Sequence, residues 1–233
     1  MTTMPEPLLP DPETVGPAPR RIALRHRRLL HGLVIFLLLS ALSLAVAASF
    51  VPYFAVDLWL TRHLQQFTHP VIRRLMIAVS WPGYDYHGFV VTLGAAGLLL
   101  TLRLRVEAAC LAASAGLGSL ITTLVKLTIA RSRPTAGLVD IYVHHRTTSF
   151  PSGHVVSYLA LYGFLFYLTY VLMPRSRIRF FLLTVFGALI SLVGLSRIYL
   201  GAHWSSDVIG GYCLGFCWLA LVINFYGRLK ATR

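Results

Sequence analysis

The chain has 233 residues, 56% of them hydrophobic and only 12% charged. It is much more apolar than a soluble domain, so a single membrane domain with the bilayer as solvent is expected. The formal net charge of +13 arises from 21 Lys and Arg against 8 acids, but the basic residues stand in short clusters between long apolar runs, a pattern that marks membrane topology and argues against a nucleic-acid partner.

Residues 1–28 read as a disordered basic tail, because Pro5, Pro7, Pro10, Pro12, Pro17 and Pro19 break regular structure and little apolar surface is available to bury. Arg20, Arg21, Arg25, Arg27 and Arg28 then precede the apolar run 29–51. That charged start resembles a signal peptide, yet the run exceeds a signal core and reads as a retained first span. Residues 53–82 mix apolar positions with Arg62, His63, Gln65, Gln66, Arg73 and Arg74 and carry Trp59 and Trp81, which predicts helices lying at the membrane interface. Five further spans are expected at 86–102, 106–129, 154–173, 179–199 and 206–227. The fold class is therefore an all-α polytopic membrane protein with six transmembrane helices, a six-span domain over 29–227 and a cytoplasmic tail over 228–233. Cys110, Cys213 and Cys217 all lie in apolar runs and read as small packing residues.

With the N-terminus in the cytoplasm, the first arginine cluster shares its side with Arg103 and Arg105, with Arg175, Arg177 and Arg179, and with Arg228, Lys230 and Arg233. This satisfies the positive-inside rule and places both termini in the cytoplasm of a plasma (bacterial inner) membrane protein. The remaining basic residues, Arg62, Arg73, Arg74, Lys126, Arg131, Arg133, Arg146 and Arg197, fall on the extracytoplasmic face, where some need another purpose.

Three segments bring polar residues to helix ends on that face. In the first, Lys126 and Arg133 are seven residues apart, about two helical turns, and Pro134 ends the helix. In the second, Phe150-Pro151-Ser152-Gly153-His154 opens the run 155–173. Free backbone N–H groups there suit a phosphate, while Ser152 taken alone reads first as an N-cap. The third comprises Ser196, Arg197, His203 and Asp207; a carboxylate four residues after an imidazole can hold one ring nitrogen while the other faces a substrate. A lone interfacial histidine is ordinarily a hydrogen-bonded bystander, and it is the set that points to chemistry.

The spacing K-x6-RP, PSGH, SR-x5-H-x3-D resembles the type-2 phosphatidic acid phosphatase and vanadium haloperoxidase superfamily, without a departure and over the membrane domain 29–227. The resemblance implies a phosphate cradle of Lys126, Arg133, Ser152, Gly153 and Arg197. It implies a nucleophile, His203, that forms a phosphohistidine and is oriented by Asp207, with His154 as acid and then base. No metal or cofactor is implied; the acids are too few near the site for a two-metal clamp. The expected activity is hydrolysis of a terminal phosphate or diphosphate from a membrane lipid of the undecaprenyl diphosphate, phosphatidate or phosphatidylglycerophosphate class.

Prenyl diphosphates are placed slightly ahead because Arg131, Arg146, His144 and His145 stand in sequence to meet a second phosphate. These loop residues and Asp140 also read as solvated or headgroup-facing. A phosphotransferase using the same nucleophile remains the alternative. A transporter is disfavoured because the charges gather at helix ends, and a haloperoxidase because that branch is soluble.

Overall fold

A computed structural model describes residues 18–84, 86–144 and 147–231, with side chains from Leu29 onward. The chain divides into two units, Met1–Phe36 and Leu37–Arg233. In the first, the described part is the opening stretch of helix α1, Ala18–Phe50, whose remainder belongs to the second. The segment read as a disordered tail is thus helical from Ala18; residues 1–17 lie outside the described residues.

The described residues are helical with no strand. Helices α2 (Ala55–Gln65), α3 (Pro70–Ser80) and α4 (His87–Thr101) are followed by α5 (Arg105–Ile129), α6 (Gly153–Leu172), α7 (Arg177–Tyr199) and α8 (Ser205–Ala231). Five helices are long and apolar enough to cross a bilayer: Leu29–Phe50 within α1, and α5 to α8. The expected second span is α4, apolar but only 15 residues long, against the roughly 20 that a full crossing needs. It stops where Arg103 takes a left-handed conformation at φ 61, which an α-helix cannot continue. Two short helices, α2 and α3, fill the segment read as interfacial.

The interior of the second unit is built from Leu111 of α5, Val155, Tyr158, Leu159 and Phe164 of α6, Val193 of α7, and Val208 and Val222 of α8. Leu117, Leu120, Leu124 and Leu127 of α5 are exposed at three- and four-residue spacing, so one face of that helix is apolar and uncovered. Glycines let α8 approach α6 closely: a Cβ at Gly211 would stand 3.1 Å from Ser152 O and from Val155 Cβ, and one at Gly215 2.6 Å from Leu159 Cδ1. Between Leu159 and Gly163, α6 widens into a π-helical turn whose residues are all buried.

Helix α2 inverts the usual amphipathic pattern. Its buried face is polar, with Asp57, Thr61 and Gln65 one turn apart, while Val56 and Trp59 are exposed. The polar face meets polar ends of the bundle: Gln65 Nε2 donates to Asp140 O and Tyr199 O at 2.8 and 3.0 Å. At the opposite end of α5 and α8, Glu107 accepts from Tyr226 Oη at 2.8 Å and pairs with Lys230 Nζ at 2.8 Å.

Candidate active site

The α5–α6 loop folds back across the end of α5. Ser149 N donates to Arg131 O at 2.9 Å, Thr148 Oγ1 to Lys126 O at 3.0 Å, and Lys126 Nζ to Thr148 O and Ser149 O at 2.5 and 3.3 Å. A Cβ at Gly153 would lie 3.7 Å from Lys126 Cε, so the opening of α6 stands beside that ammonium. Ser152 N donates to Asp207 O at 3.0 Å, which ties the start of α6 to α8. Ser152 does not cap its helix: no side-chain cap bond forms, and its buried Oγ has no hydrogen-bond partner among the described residues. A buried hydroxyl without a partner is costly, which disfavours the N-cap reading of this serine.

Arg133 reaches the imidazole. Its Nη1 donates to Ala202 O at 2.5 Å and stands 3.3 Å from His203 Nε2, while Nε and Nη2 donate to Thr147 O and Thr147 Oγ1 at 2.6 and 3.0 Å. A guanidinium can only donate, so Nε2 is the acceptor and the ring proton sits on Nδ1. Nδ1 faces Ser149 Oγ at 3.4 Å, and that hydroxyl donates to Asp207 Oδ2 at 2.5 Å. The direct Nδ1 to Oδ2 separation is 3.7 Å, beyond a hydrogen bond. The expected Asp207-to-ring contact is therefore relayed through Ser149, a residue the sequence reading passed over. Burial first, and then the positive charge of Arg197, push the Arg133 guanidinium down to about 10, so it is still a cation at neutral pH.

The carbonyl of Arg197 accepts the backbone N–H groups of Ala202 and His203 at 3.1 and 3.2 Å. Its fully buried side chain is held by the turn after α3, with Nη1 donating to Ser80 Oγ at 3.2 Å and Tyr84 Oη at 3.0 Å. The guanidinium also lies 5.2 Å from the Tyr84 ring centroid. The same ring meets His154 edge-on at 5.1 Å, and a Cβ at Gly83 would stand 2.6 Å from His154 Cδ2. Ser80, from the stretch read only as interfacial, and Gly83 and Tyr84, just beyond it, are thus further candidate site residues.

A further expectation changes. Arg131 is buried and cannot meet a second phosphate: Nη1 pairs with Asp207 Oδ1 at 2.6 Å and Nη2 with Asp57 Oδ2 at 3.0 Å. Its placement follows from the chain's leaving α5 at Ala130, where φ is 49, so that the arginine no longer follows the helix face of Lys126. His144 and Asp140 are exposed, while His145 and Arg146 lie outside the described residues. Among the described residues, no group of three or more His, Cys, Asp and Glu is placed to hold a metal, and no carboxylate lies within ion-pair distance of Lys126 or Arg133.

The chain is similar to known proteins. Phosphatidylglycerophosphatase B of Bacillus subtilis is 34% identical over 51% of this chain and 57% of its own length. A lipid A 1-phosphatase of Rhizobium etli is 30% identical over 47% of the chain and 46% of its own length. The chain therefore spans about half the length of the curated relatives it matches. In three dimensions it superposes on a transmembrane PAP2-type phosphatidylglycerolphosphate phosphatase from Bacillus subtilis with TM-score 0.74 and 25% identity, over 86% of this chain and 98% of that one. Aquifex aeolicus LpxE shares the fold at TM-score 0.59 and 20% identity, over 75% of this chain and 98% of that one. The sequence profile of the PAP2 superfamily matches residues 107–231, from the first turn of α5 to the end of α8, and the chain belongs to that superfamily.

Proposed function

We infer that this protein is an integral-membrane lipid phosphatase that removes a terminal phosphate through a phosphohistidine on His203. The observation that carries the reading is the setting of that ring: Nε2 stands beside Arg133, while Nδ1 faces Ser149, whose hydroxyl is bonded to Asp207. Apart from the Arg133 contact to His203 Nε2, Lys126 and Arg133 hold neutral oxygens, so an arriving phosphoryl group breaks no ion pair. The Ser152 hydroxyl and the Gly153 N–H at the start of α6 complete the cradle with Arg197, because positioning and charge stabilisation supply most of phosphoryl-transfer catalysis.

In the first step the Nε2–P bond forms as the P–O bond to the lipid breaks, and His154 donates a proton to the departing oxygen. In the second, His154 takes a proton from water, the water oxygen attacks phosphorus, and the P–N bond breaks to release inorganic phosphate. Asp207, through Ser149, stabilises the positive charge that develops on the ring. The reaction needs no metal.

The lipid tail lies among the spans and the phosphate at headgroup depth on the extracytoplasmic face, with both termini cytoplasmic and α2 and α3 at the interface. The distribution of basic residues supports this orientation. With Arg131 engaged, the argument for a diphosphate weakens, and monoesters of the phosphatidylglycerophosphate and phosphatidate class come ahead of undecaprenyl diphosphate and lipid A phosphates. The names of the relatives, a phosphatidylglycerophosphatase and lipid A 1-phosphatases, support a monoester and keep lipid A phosphates among the candidates.

The test is phosphate release by purified protein in mixed micelles of each lipid, with water as the only acceptor, which separates hydrolysis from transfer. Chelator leaves the wild type active, and His203→Ala removes turnover together with the acid-labile phosphoenzyme. Full activity in His203→Ala overturns the mechanism.

A further inference from the structure

Asp57, Arg131 and Asp207 form a buried chain of charges that neither the motifs nor the mechanism above uses in full. Asp57 accepts five hydrogen bonds: Ser205 Oγ and Ser206 N at Oδ1, at 2.7 and 2.8 Å, and Ser206 Oγ, Phe54 N and Arg131 Nη2 at Oδ2, at 2.7, 3.0 and 3.0 Å. It therefore places a carboxylate from α2 at the N-terminus of α8, where the helix presents free N–H groups and positive potential. Arg131 bridges Asp57 to Asp207 and donates to Ser206 Oγ at 2.7 Å. Its Nε is held by Val51 O and Pro52 O at 3.3 and 3.1 Å. Every polar group of the bridge has a partner, so the arginine cannot turn toward a substrate without stranding two buried carboxylates.

We propose that Asp57 and Arg131 are positioning residues for the nucleophile, fixing the orientation and charge of Asp207 and, through Ser149, the basicity of the His203 ring. Asp207 gives one oxygen to Arg131 and the other to Ser149 and Trp204 N. The arginine thus decides which oxygen faces the ring, and Asp57 offsets the charge that would otherwise draw electron density from Asp207. Because Asp57 belongs to α2, the nucleophile's environment is set by a segment outside the profile match of residues 107–231.

The charged and titratable groups linked to the ring by contacts are Arg133, Asp207, Arg131 and Asp57, and Lys126, Arg197 and His154 belong to the same site. Cations outnumber carboxylates among them, so neutralising Asp57 disfavours the imidazolium. The ring pKa falls, and the acidic limb of the rate profile, set by the need for a neutral nucleophile, moves to lower pH. A less basic ring is also a weaker nucleophile, so the plateau rate falls.

The proposal rests on the phosphatase reading, and its test carries a readout independent of turnover: the His203 ring titration in 15N-histidine-labelled protein in micelles, assigned with His203→Ala. Asp57→Asn is expected to lower the ring pKa by about one unit and kcat by about tenfold, with little change in KM. Arg131→Lys keeps the charge but loses the planar fork that spans both carboxylates; it lowers kcat by a similar factor with a smaller pKa shift. Ser206→Ala keeps every charge and removes one bridging hydroxyl, giving a smaller loss of the same sign, and it decides the matter if the other two variants do not fold. Folded variants with an unchanged ring pKa and kcat overturn the proposal. If the wild type hydrolyses no lipid phosphate yet Asp57→Asn still shifts the ring, the network stands and the functional reading fails.

Discussion

Removing one hydroxyl separates a relayed ring from a directly held one. In Ser149→Ala, His203 Nδ1 loses its acceptor at 3.4 Å and Asp207 Oδ2 loses its shortest bond, at 2.5 Å, keeping Trp204 N at 2.9 Å. A hydrogen bond to a charged group contributes about 1.5–3 kcal/mol. If it is made in full only when the ring becomes positive, that stabilisation belongs to the transition state. At about 1.36 kcal/mol per factor of ten, the expected fall in kcat is about 10- to 150-fold. KM should change little, because the hydroxyl faces Asp207 and the ring. Ser149→Thr, which restores a hydroxyl, should recover much of the loss. The assay is steady-state phosphate release in mixed micelles, with melting temperature recorded to correct for destabilisation. A kcat within twofold of wild type refutes the relay. So would an increase, which would mean that Asp207 closes the 3.7 Å gap and holds the ring better without the serine between them.

His154→Ala should lose about 10²- to 10⁴-fold in kcat, the usual cost of losing general acid–base help, while still binding vanadate; normal turnover would move the acid elsewhere. Glu107→Ala, at the far end of α5, removes the acceptor of Tyr226 and the partner of Lys230; thermal unfolding should show a loss of about 1–3 kcal/mol with kcat of the folded fraction unchanged, and a fall in kcat would contradict the separation of the two ends. In a background lacking Cys110, Cys213 and Cys217, a cysteine replacing exposed His144 should react with an impermeant thiol reagent in intact cells and one replacing Arg177 should not; the reverse pattern inverts the topology.

The motifs were legible because their spacing mirrors helix geometry and chain breaks: Lys126 to Pro134 ends α5, Pro151 to His154 opens α6, and Ser196 to Asp207 spans the turn into α8. What stayed hidden is held by residues whose neighbours in space are remote in sequence. Asp57 meets Arg131 and Ser206 across three elements, and no local period reports that. Helix α2 hid itself further by burying polar residues, so a search for apolar faces assigns its inside and outside the wrong way round. A usable signal existed, since Asp57 is the one acid in the basic stretch 53–82 and recurs with Thr61 and Gln65 at helical spacing. Arg131 was misread because its place in the outer loop suggested a cation free to meet a second phosphate, whereas the left-handed Ala130 between helix and loop turns it inward.

The π-helical turn in α6 lets the two ends of one helix answer to different partners. An ordinary helix advances about 100° per residue, and a π turn holds one residue more than an α turn. Deleting one residue between Leu159 and Gly163 would leave Ser152 to His154 in phase with α8, since Ser152 N is bonded to Asp207 O before the turn is reached. The residues left there would close an ordinary α turn over the same arc, so Phe164 and Leu168, now 0% and 3% exposed, would keep their inward direction. The turn absorbs a surplus residue where it stands: the catalytic end and the far end both keep their angles, and a one-residue change in helix length stays confined to the segment between them.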